Sequence, residues 1–276
     1  LVGEITMSIA DEYLKSDIKN ILEYGYKDIN PRPKYKDGTP AHTISVNQGV
    51  ECTYDLAKGE SPMITLRPIA TRAAIAEILW IYQKESNDLV LFDELLGRKT
   101  WDEDGKINNW WNDWALRDDN GNYILNDEGH PTIGACYGET VSRRHILKDE
   151  VIKAIRNNPD GRRNITCLWQ MDDFLEQHGL KPCAFLTIWN VRHEEDADYL
   201  DMCLFQRSSD FLIADCINQV QYVVLQYIVA KELNYKPGRF TWFYDNIHIY
   251  DHNIEQAKEL LNRESVECNP KISIDD

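Results

Sequence analysis

Residues 199–210 have the sequence YLDMCLFQRSSD, and this stretch decides the fold class. Its first part, Tyr199 to Phe205, is rich in aliphatic and aromatic side chains, which is typical of a buried β-strand. The following QRSSD, residues 206–210, places a guanidinium, two hydroxyls and a carboxylate at the end of that strand. Such a density of polar groups favours an anion such as phosphate, although a solvated strand end with a salt bridge gives the same pattern.

Similar patterns lie on both sides of this stretch. We predict further strands over residues 43–46, 164–170, 185–191 and 239–250, and helices over residues 9–26, 70–83, 147–157, 217–233 and 253–262. The Trp-rich residues 101–133 predict short helices within an irregular segment. Because strands alternate with helices and no linker rich in Pro, Gly or Ser divides the chain, we expect a single α+β domain over residues 7–276.

The composition is that of an ordinary globular protein, and the charge disfavours some partners. The chain has 276 residues, with 30 Lys plus Arg against 46 Asp plus Glu, for a formal net charge of −16. This charge disfavours nucleic acid and anionic lipid, so a phosphate-bearing ligand needs a local cluster of arginines. No apolar run approaches the length of a membrane span, and residues 1–6 lack a signal-peptide pattern, so we interpret them as an expression remnant.

The seven cysteines indicate a compartment and one candidate nucleophile. None forms a C-x-x-C pair, which argues against a zinc ribbon or a disulfide framework and favours a cytoplasmic location. Cys183 lies in Lys181-Pro182-Cys183-Ala184, at the mouth of a predicted strand. A thiol at a strand start can point into a cleft, where a nearby cation makes thiols nucleophilic. The alternative is a small buried side chain, since free cysteine is among the most buried residue types.

Three further patterns carry polar groups with two interpretations each. Glu77 lies on an otherwise apolar helix, where a carboxyl acts as a general acid or base, or forms an ion pair with Arg72 or with a residue on a strand. The arginine pair at 162–163 follows a Pro-Asp-Gly turn, and such a pair binds an anion or simply faces water. His248 and Tyr250 alternate on one face of a strand, where they present two donors to a sugar hydroxyl or form a satisfied, half-buried pair.

Taken in order, these motifs resemble the signature of the thymidylate synthase family. The downstream part comprises Pro182-Cys183, Gln206-Arg207-Ser208-x-Asp210, Asn218, Gly238-x-Phe240 and His248-Ile249-Tyr250. The upstream part comprises Asp37-Gly38-Thr39-Pro40-Ala41-His42-Thr43, Glu77-Ile78-Leu79-Trp80, Gly134-x-x-Tyr137-Gly138 and Arg162-Arg163. The resemblance spans residues 10–265, and although a single motif matches by chance, the ordered set is highly specific.

The resemblance implies a fold and a reaction. The implied fold is α+β, with a large mixed β-sheet packed by helices and a sheet-to-sheet homodimer. The implied reaction is the reductive methylation of dUMP to dTMP, in which 5,10-methylenetetrahydrofolate supplies the carbon and the hydride, dihydrofolate is released, and no metal takes part. On this reading the Cys183 thiolate adds to carbon 6 of the uracil and makes carbon 5 nucleophilic. Glu77 acts through water near oxygen 4, and Tyr137 is associated with the base that removes the carbon 5 proton.

The same resemblance assigns groups to the nucleotide. Arg207 and Ser208 bind the phosphate, and Arg207 also favours the thiolate. Asn218 meets the pyrimidine edge, where a carboxamide offers both a donor and an acceptor and thereby selects uracil over cytosine. His248 and Tyr250 hold the deoxyribose hydroxyl.

The remaining assignments concern the folate and the partner subunit. The groups implied at the folate are Asp210 at the pterin, Trp111 and Trp114 beside it, and Glu77. In the implied homodimer, Arg162 and Arg163 reach into the partner's site and supply the positive charge that the net charge requires. Arg32 is a candidate phosphate ligand, because Gly38 stands where the family has a loop arginine.

Two alternatives stay open. A pyrimidine nucleotide hydroxymethylase of the same fold uses the same Cys183 and Arg207, but water rather than hydride quenches its exocyclic methylene intermediate and tetrahydrofolate is released. A catalytically silent nucleotide-binding homologue is the second alternative. It is favoured by altered pocket residues such as Ala214, which replaces a glycine common in the family, and by the absence after Asp276 of the closing tail that the family has. Dihydrofolate formation tests the first alternative, and covalent capture of 5-fluoro-dUMP tests the second.

Overall fold

Helices and strands alternate along the chain. The structure, a computed structural model, describes residues 8–177, 180–268 and 270–274. Its α-helices are α1 (Ile9–Tyr24), α2 (Thr71–Tyr82), α3 (Leu89–Leu96), α4 (Gly138–Arg144), α5 (Ala154–Asn157), α6 (Met171–Gln177), α7 (Asp215–Leu233) and α8 (Ile254–Asn262). Its strands are β1 (Tyr26–Lys27), β2 (Thr43–Asp55), β3 (Ile165–Cys167), β4 (Ala184–His193), β5 (Asp198–Asp210) and β6 (Lys236–Tyr250). Three 3-10 helices, Leu56–Lys58, Trp110–Trp114 and Asp251–Asn253, and one π-helix, Ile146–Lys153, complete these described elements.

The chain forms two compact units. The first unit comprises the residues up to 70 and those from 192 onward, and the second comprises residues 71–191. The first holds β1, β2, β5 and β6 with helices α1, α7 and α8, whereas the second holds α2 to α6, β3 and most of β4. The expectation of one domain over residues 7–276 stays a prediction.

The first unit is built on a mixed sheet in which β1, β2, β6 and β5 are successive neighbours. The pairs β1–β2 and β2–β6 are antiparallel, whereas β5 and β6 are parallel. Parallel neighbours need a crossover connection, and the long buried helix α7 provides it. Within this pair Ser208 lies opposite Asn246, and Asp210 lies opposite His248. The crossover therefore places residues 206–210 beside the end of β6, which agrees with the mixed α+β fold that the resemblance implies.

Helix α1 covers this unit with one apolar face. It begins where the Ser8 hydroxyl accepts a hydrogen bond from the Asp11 N–H, and it ends at Gly25. Leu14 and Ile18, one helical turn apart, are both buried, so the spacing that predicts the helix also predicts its core face. Only glycine fits at residue 25, where the chain leaves α1 for β1, because a side chain there would collide with the Ile21 carbonyl oxygen.

The second unit packs α2 against α3 and α4. Trp80 on α2 is fully buried; its indole nitrogen donates to the Asp88 carbonyl at 2.8 Å and its ring packs on Phe92. The Asp88 side chain caps α3 by accepting from the Val90 and Leu91 N–H groups. These contacts hold α2 rigidly, and α2 carries Glu77.

Several predicted elements differ from the structure. Residues 206–210 continue strand β5 rather than follow it, because β6 offers them backbone partners as far as Asp210. The helix predicted over 147–157 is a π-helix followed by the short α5, and the strand predicted over 164–170 is only β3. The strand predicted over 43–46 extends through Asp55. Helices α3, α4 and α6 were not predicted, because their patterns are short.

Residues 101–133 contain one short helix, the 3-10 helix Trp110–Trp114, within an otherwise irregular segment, where the sequence predicts several short helices. Three tight turns there share one geometry: the side-chain oxygens of Asp102, Asp118 and Asn126 each accept two backbone N–H groups. Across the described ranges, no helix is both long enough and apolar enough to span a membrane.

Candidate active site

Cys183 lies immediately before β4 and is half-buried. Three other cysteines are fully buried, Cys52, Cys136 and Cys216. The interpretation as a small core side chain therefore describes those three better than it describes Cys183. The Cys183 backbone N–H donates a hydrogen bond of 3.1 Å to the Tyr137 hydroxyl. Its position is therefore fixed by a contact that is distant in sequence as well as by the preceding proline.

Tyr137 occupies a strained turn. Its φ of 46° lies in the left-handed region, which a tyrosine rarely adopts. The next residue must be glycine, because a Cβ on Gly138 would lie 2.0 Å from the Ser86 carbonyl oxygen. Burial raises the pKa of Tyr137 well above its usual range. The hydroxyl therefore keeps its proton at neutral pH, so it can accept from Cys183 and still donate to a ligand.

Glu77 and Trp111 form a buried pair in the same unit. The Trp111 indole N–H donates to the Glu77 carboxylate at 3.3 Å, and both side chains are less than a tenth exposed. The Trp111 ring also meets the Tyr137 ring edge to face, with 5.7 Å between centroids. Glu77, Trp111, Tyr137 and Cys183 thus form one connected series of contacts. A carboxyl, a hydroxyl and a thiol in such a series are the groups needed for nucleophilic addition with proton transfer.

The two tryptophans implied at the folate have different surroundings. Trp111 is buried against Glu77, and Trp80 packs 5.8 Å from it, centroid to centroid. Trp114, at the end of the same 3-10 helix, is 41 % exposed. Trp114 therefore has free surface on which a flat ring can stack, whereas Trp111 mainly orients the carboxyl.

The first unit carries the groups implied at the phosphate and the pterin. Arg207 and Ser208 are half-buried on β5, and Ser209, the next residue of the strand, is buried. Asp210 accepts a hydrogen bond from the Ile213 N–H at 3.3 Å, and burial raises the pKa of its carboxyl. These residues form part of a sheet, so their positions are more rigid than those of a solvated strand end.

His248 and Tyr250 lie next to one another on β6, with ring centroids 5.5 Å apart. Burial lowers the pKa of His248 to about 4, so the imidazole is neutral at pH 7. The Asn246 amide nitrogen donates to Asn47, which leaves the Asn246 oxygen to accept from Nδ1 of His248 at 2.9 Å. Nε2 of His248 is then an acceptor, rather than the donor that the sequence interpretation assigns.

Asn218 lies in the first turns of α7, and its amide is held on both sides. Its oxygen accepts from Nε2 of Gln206 at 3.1 Å, and its nitrogen donates to the Gln221 oxygen at 3.0 Å. The sequence patterns do not identify Gln206, Gln221 or Trp242 as neighbours of Asn218. The Trp242 indole N–H donates to Gln206 from β6. The signal for Gln206 was available, since it opens the QRSSD motif, but its contacts require the paired strands.

The other three arginines that the resemblance implies at the phosphate lie at the surface. Arg162 and Arg163 are exposed in the turn before β3, and Arg32 is exposed in the loop before β2. Within one chain the arginine pair therefore faces water, which is the plainer of its two interpretations. This arrangement leaves both guanidinium groups accessible to another molecule.

Comparison with known proteins agrees with these observations. Residues 11–276 match the family model described as "Thymidylate synthase". Proteins named "Thymidylate synthase" from Streptococcus sanguinis and from Lactococcus lactis subsp. cremoris are each 43% identical over 267 residues, covering 96% of this chain and 87% of theirs. The solved structure of a thermostable thymidylate synthase A from Bacillus subtilis superimposes with a TM-score of 0.76 at 30% identity, covering 94% of this chain and 86% of that one. The chain belongs to the thymidylate synthase family.

Proposed function

We propose that the protein catalyses the reductive methylation of dUMP to dTMP, with 5,10-methylenetetrahydrofolate as donor of the carbon and the hydride and dihydrofolate as the second product. The observation that carries this proposal is the series of contacts from Glu77 through Trp111 and Tyr137 to Cys183. In a member of this family, these are the groups that addition to a pyrimidine ring requires.

In the proposed reaction the Cys183 sulfur forms a bond to carbon 6 of the uracil, and the electron pair moves to carbon 5 and oxygen 4. Glu77, oriented by the Trp111 N–H, exchanges a proton through water near oxygen 4. The Tyr137 hydroxyl, which keeps its proton, takes part in the water network that removes the proton from carbon 5. The folate supplies a one-carbon unit and then a hydride, after which the bond from sulfur to carbon 6 breaks.

The first unit supplies the proposed recognition groups for the nucleotide. Arg207 and Ser208 bind the phosphate as a charge-assisted donor pair, and Arg207 also favours the thiolate. Asn218 reads the pyrimidine edge. The deoxyribose hydroxyl donates to the neutral His248 ring and accepts from the Tyr250 hydroxyl, an arrangement supported by the acceptor role of Nε2.

The proposed folate groups are Asp210, Trp111, Trp114 and Glu77, of which Trp114 offers the exposed stacking surface. We also propose a homodimer in which Arg162 and Arg163 reach the partner's phosphate site, with Arg32 as a further phosphate ligand. The exposure of all three arginines supports this role. The half-buried, stacked pair Phe205 and Phe243 on the sheet of the first unit supports sheet-to-sheet association.

Covalent capture tests the proposed nucleophile. The wild-type protein is expected to form an adduct with 5-fluoro-dUMP when methylenetetrahydrofolate is present, detected as a mass shift in intact-protein mass spectrometry. Cys183→Ser is expected to lose the adduct, whereas Cys167→Ser, which alters another half-buried thiol, should retain it. Loss of the adduct in both variants, or in neither, would contradict the role of Cys183.

The reaction itself is tested by the absorbance of dihydrofolate formed from dUMP and methylenetetrahydrofolate. Formation of dTMP with one equivalent of dihydrofolate is expected. Formation of 5-hydroxymethyl-dUMP with tetrahydrofolate would identify the hydroxymethylase instead. A protein that captures no 5-fluoro-dUMP and forms neither product would be the silent homologue.

A further inference from the structure

The 3-10 helix Trp110–Trp114 carries the two tryptophans proposed at the folate, and one side chain holds its start. Asn109 immediately precedes this helix, and its side-chain oxygen accepts from the Trp111 N–H at 2.9 Å. A helix this short has few hydrogen bonds of its own, so its position depends on contacts with the rest of the unit. The Asn109 cap is therefore one of the contacts that determine where Trp111 and Trp114 lie.

Asp93 holds the other end of the Asn109 amide. It lies on α3, is 0 % exposed, and accepts from Nδ2 of Asn109 at 2.8 Å. A carboxylate only accepts hydrogen bonds, so the amide nitrogen must face Asp93 and the amide oxygen must face the Trp111 N–H. A rotated Asn109 amide would lose both hydrogen bonds, which means that Asp93 orients the cap.

The stability of α3 alone does not explain an aspartate at this position. Within the described ranges, Oδ1 of Asp93 is buried and has no hydrogen-bond partner. Burial raises the pKa of the carboxyl, and the hydrogen bond from Asn109 opposes that rise. A buried carboxyl with an unsatisfied oxygen destabilises the fold, and an apolar side chain would avoid this cost. The contact with Asn109 is what the aspartate provides and an apolar residue cannot.

Helix α3 contacts the start of the 3-10 helix through two neighbouring residues. Beside Asp93, the ring of Phe92 meets the Trp110 ring edge to face, with 5.1 Å between centroids. At the far end of the 3-10 helix lies the exposed Trp114. A shift at the start of this helix would therefore displace the surface on which the folate is proposed to stack.

We propose that Asp93 is a positioning residue that acts through Asn109 to hold Trp111 and Trp114 where they receive the folate. This inference rests on the proposed function, in which the two tryptophans lie beside the pterin. Asp93 is fully buried, so it acts through its neighbour rather than on the ligand. Loss of its contact with Asn109 should weaken folate binding and leave nucleotide binding nearly unchanged, because the groups proposed at the phosphate, the pyrimidine edge and the sugar belong to the first unit.

The test measures dissociation constants by isothermal titration calorimetry, for dUMP alone and for dihydrofolate in the presence of dUMP. Asn109→Asp keeps an oxygen for the Trp111 N–H but places a second carboxyl against Asp93, and the two like groups repel. It is expected to weaken dihydrofolate binding by about 10-fold and to leave dUMP binding within about 2-fold. Asn109→Ser adds no charge and still caps a helix, but it is too short to reach Asp93, so the same result is expected.

An exchange of the two side chains provides the rescue. In Asp93→Asn the new amide oxygen still accepts from Asn109, so dihydrofolate binding should stay within about 2-fold of the wild type. Adding Asp93→Asn to Asn109→Asp should also restore binding to within about 2-fold, because the amide at 93 then donates to the carboxylate at 109. A role of Asn109 that does not involve Asp93 would leave the double variant as weak as Asn109→Asp alone.

Asn126→Asp is the matched control. The oxygen of the Asn126 side chain also accepts backbone N–H groups, and its nitrogen also donates to a buried carboxyl, that of Asp88, at 3.4 Å. Asn126 holds a turn of residues 126–130 rather than the 3-10 helix. This variant should therefore keep the wild-type dissociation constant for dihydrofolate.

Unchanged dihydrofolate binding in folded Asn109→Ser, or failure of the exchanged pair to restore binding, would overturn the inference. Equal weakening of dUMP and dihydrofolate would also overturn it, since that result indicates a general loss of structure. The measurement does not depend on turnover. A wild type that binds both ligands and responds to these variants as expected, but forms no dTMP, would contradict the proposed function and leave the inference standing. A wild type that forms dTMP while the exchange fails would contradict the inference alone.

Discussion

Asp215 is a buried carboxyl whose ionisation should weaken the fold. It lies in the first turn of α7, is 2 % exposed, and accepts hydrogen bonds from Nε2 of Gln219. Burial is the main cause that raises its pKa to about 8, with repulsion from Asp17 adding to it. Asp17 is itself buried and accepts from the Tyr244 hydroxyl; burial raises its pKa to about 6.

The sign and size of the effect follow from the two pKa values. In the unfolded chain an Asp with a pKa of 3.8 is ionised at pH 6, whereas Asp215 in the folded chain keeps its proton until about pH 8. The folded state therefore binds more protons across this window, so its stability falls as the pH rises. At about 1.36 kcal/mol per pH unit below the folded pKa of about 8, the loss between pH 6 and pH 9 is about 2.7 kcal/mol.

Asp215→Asn should remove this loss, because an amide stays neutral and still offers an oxygen to Gln219. The free energy of unfolding, measured by urea denaturation from pH 6 to pH 9, should fall less steeply for the variant than for the wild type. The control is Asp118→Asn, since Asp118 is an exposed turn residue whose pKa is lowered by hydrogen bonds from Asn122. If the free energy of unfolding falls equally steeply from pH 6 to pH 9 in Asp215→Asn and in the wild type, the reasoning is refuted.

Two further predictions concern the proposed site. Tyr137→Phe leaves the Cys183 N–H without its acceptor, so the free energy of unfolding should fall by about 1–3 kcal/mol and kcat should fall more than KM rises. An unchanged kcat in the dihydrofolate absorbance assay would contradict the role of the hydroxyl. His248→Gln should flatten the loss of stability between pH 6.5 and pH 4.5, because the lowered pKa of His248, about 4, makes the folded state bind fewer protons there than the unfolded state. If the free energy of unfolding falls equally steeply from pH 6.5 to pH 4.5 in the variant and in the wild type, that explanation is excluded.

The elements that the sequence predicts well are those with a long, regular pattern. Helix α1 shows apolar residues at helical spacing, and the structure buries that face. The strand patterns around 185–191 and 199–205 lie within β4 and β5. What local pattern does not reveal is how far pairing extends a strand, and residues 206–210 are extended only because β6 lies beside them.

The same distinction applies to the candidate site. Motif order identifies Cys183, Tyr137 and Glu77 as residues of interest, since each lies in a recognisable run. It does not reveal that Trp111 connects Glu77 to Tyr137, because that contact joins segments far apart in the chain. The orientation of an amide such as Asn218 is still further from the sequence, since it depends on donors and acceptors that only the folded sheet brings together.

The net charge of −16 and the binding of a phosphate are compatible for a physical reason. At physiological ionic strength the Debye length is about 8 Å, so most surface carboxylates are screened from a ligand at the phosphate site proposed on the sheet. Arg207 is half-buried on a strand and therefore less screened. Arg162 and Arg163 are exposed in a single chain, where salt weakens any attraction they exert. Their proposed contribution to phosphate binding consequently requires that a partner subunit exclude water around them, which makes nucleotide affinity a property of the proposed homodimer.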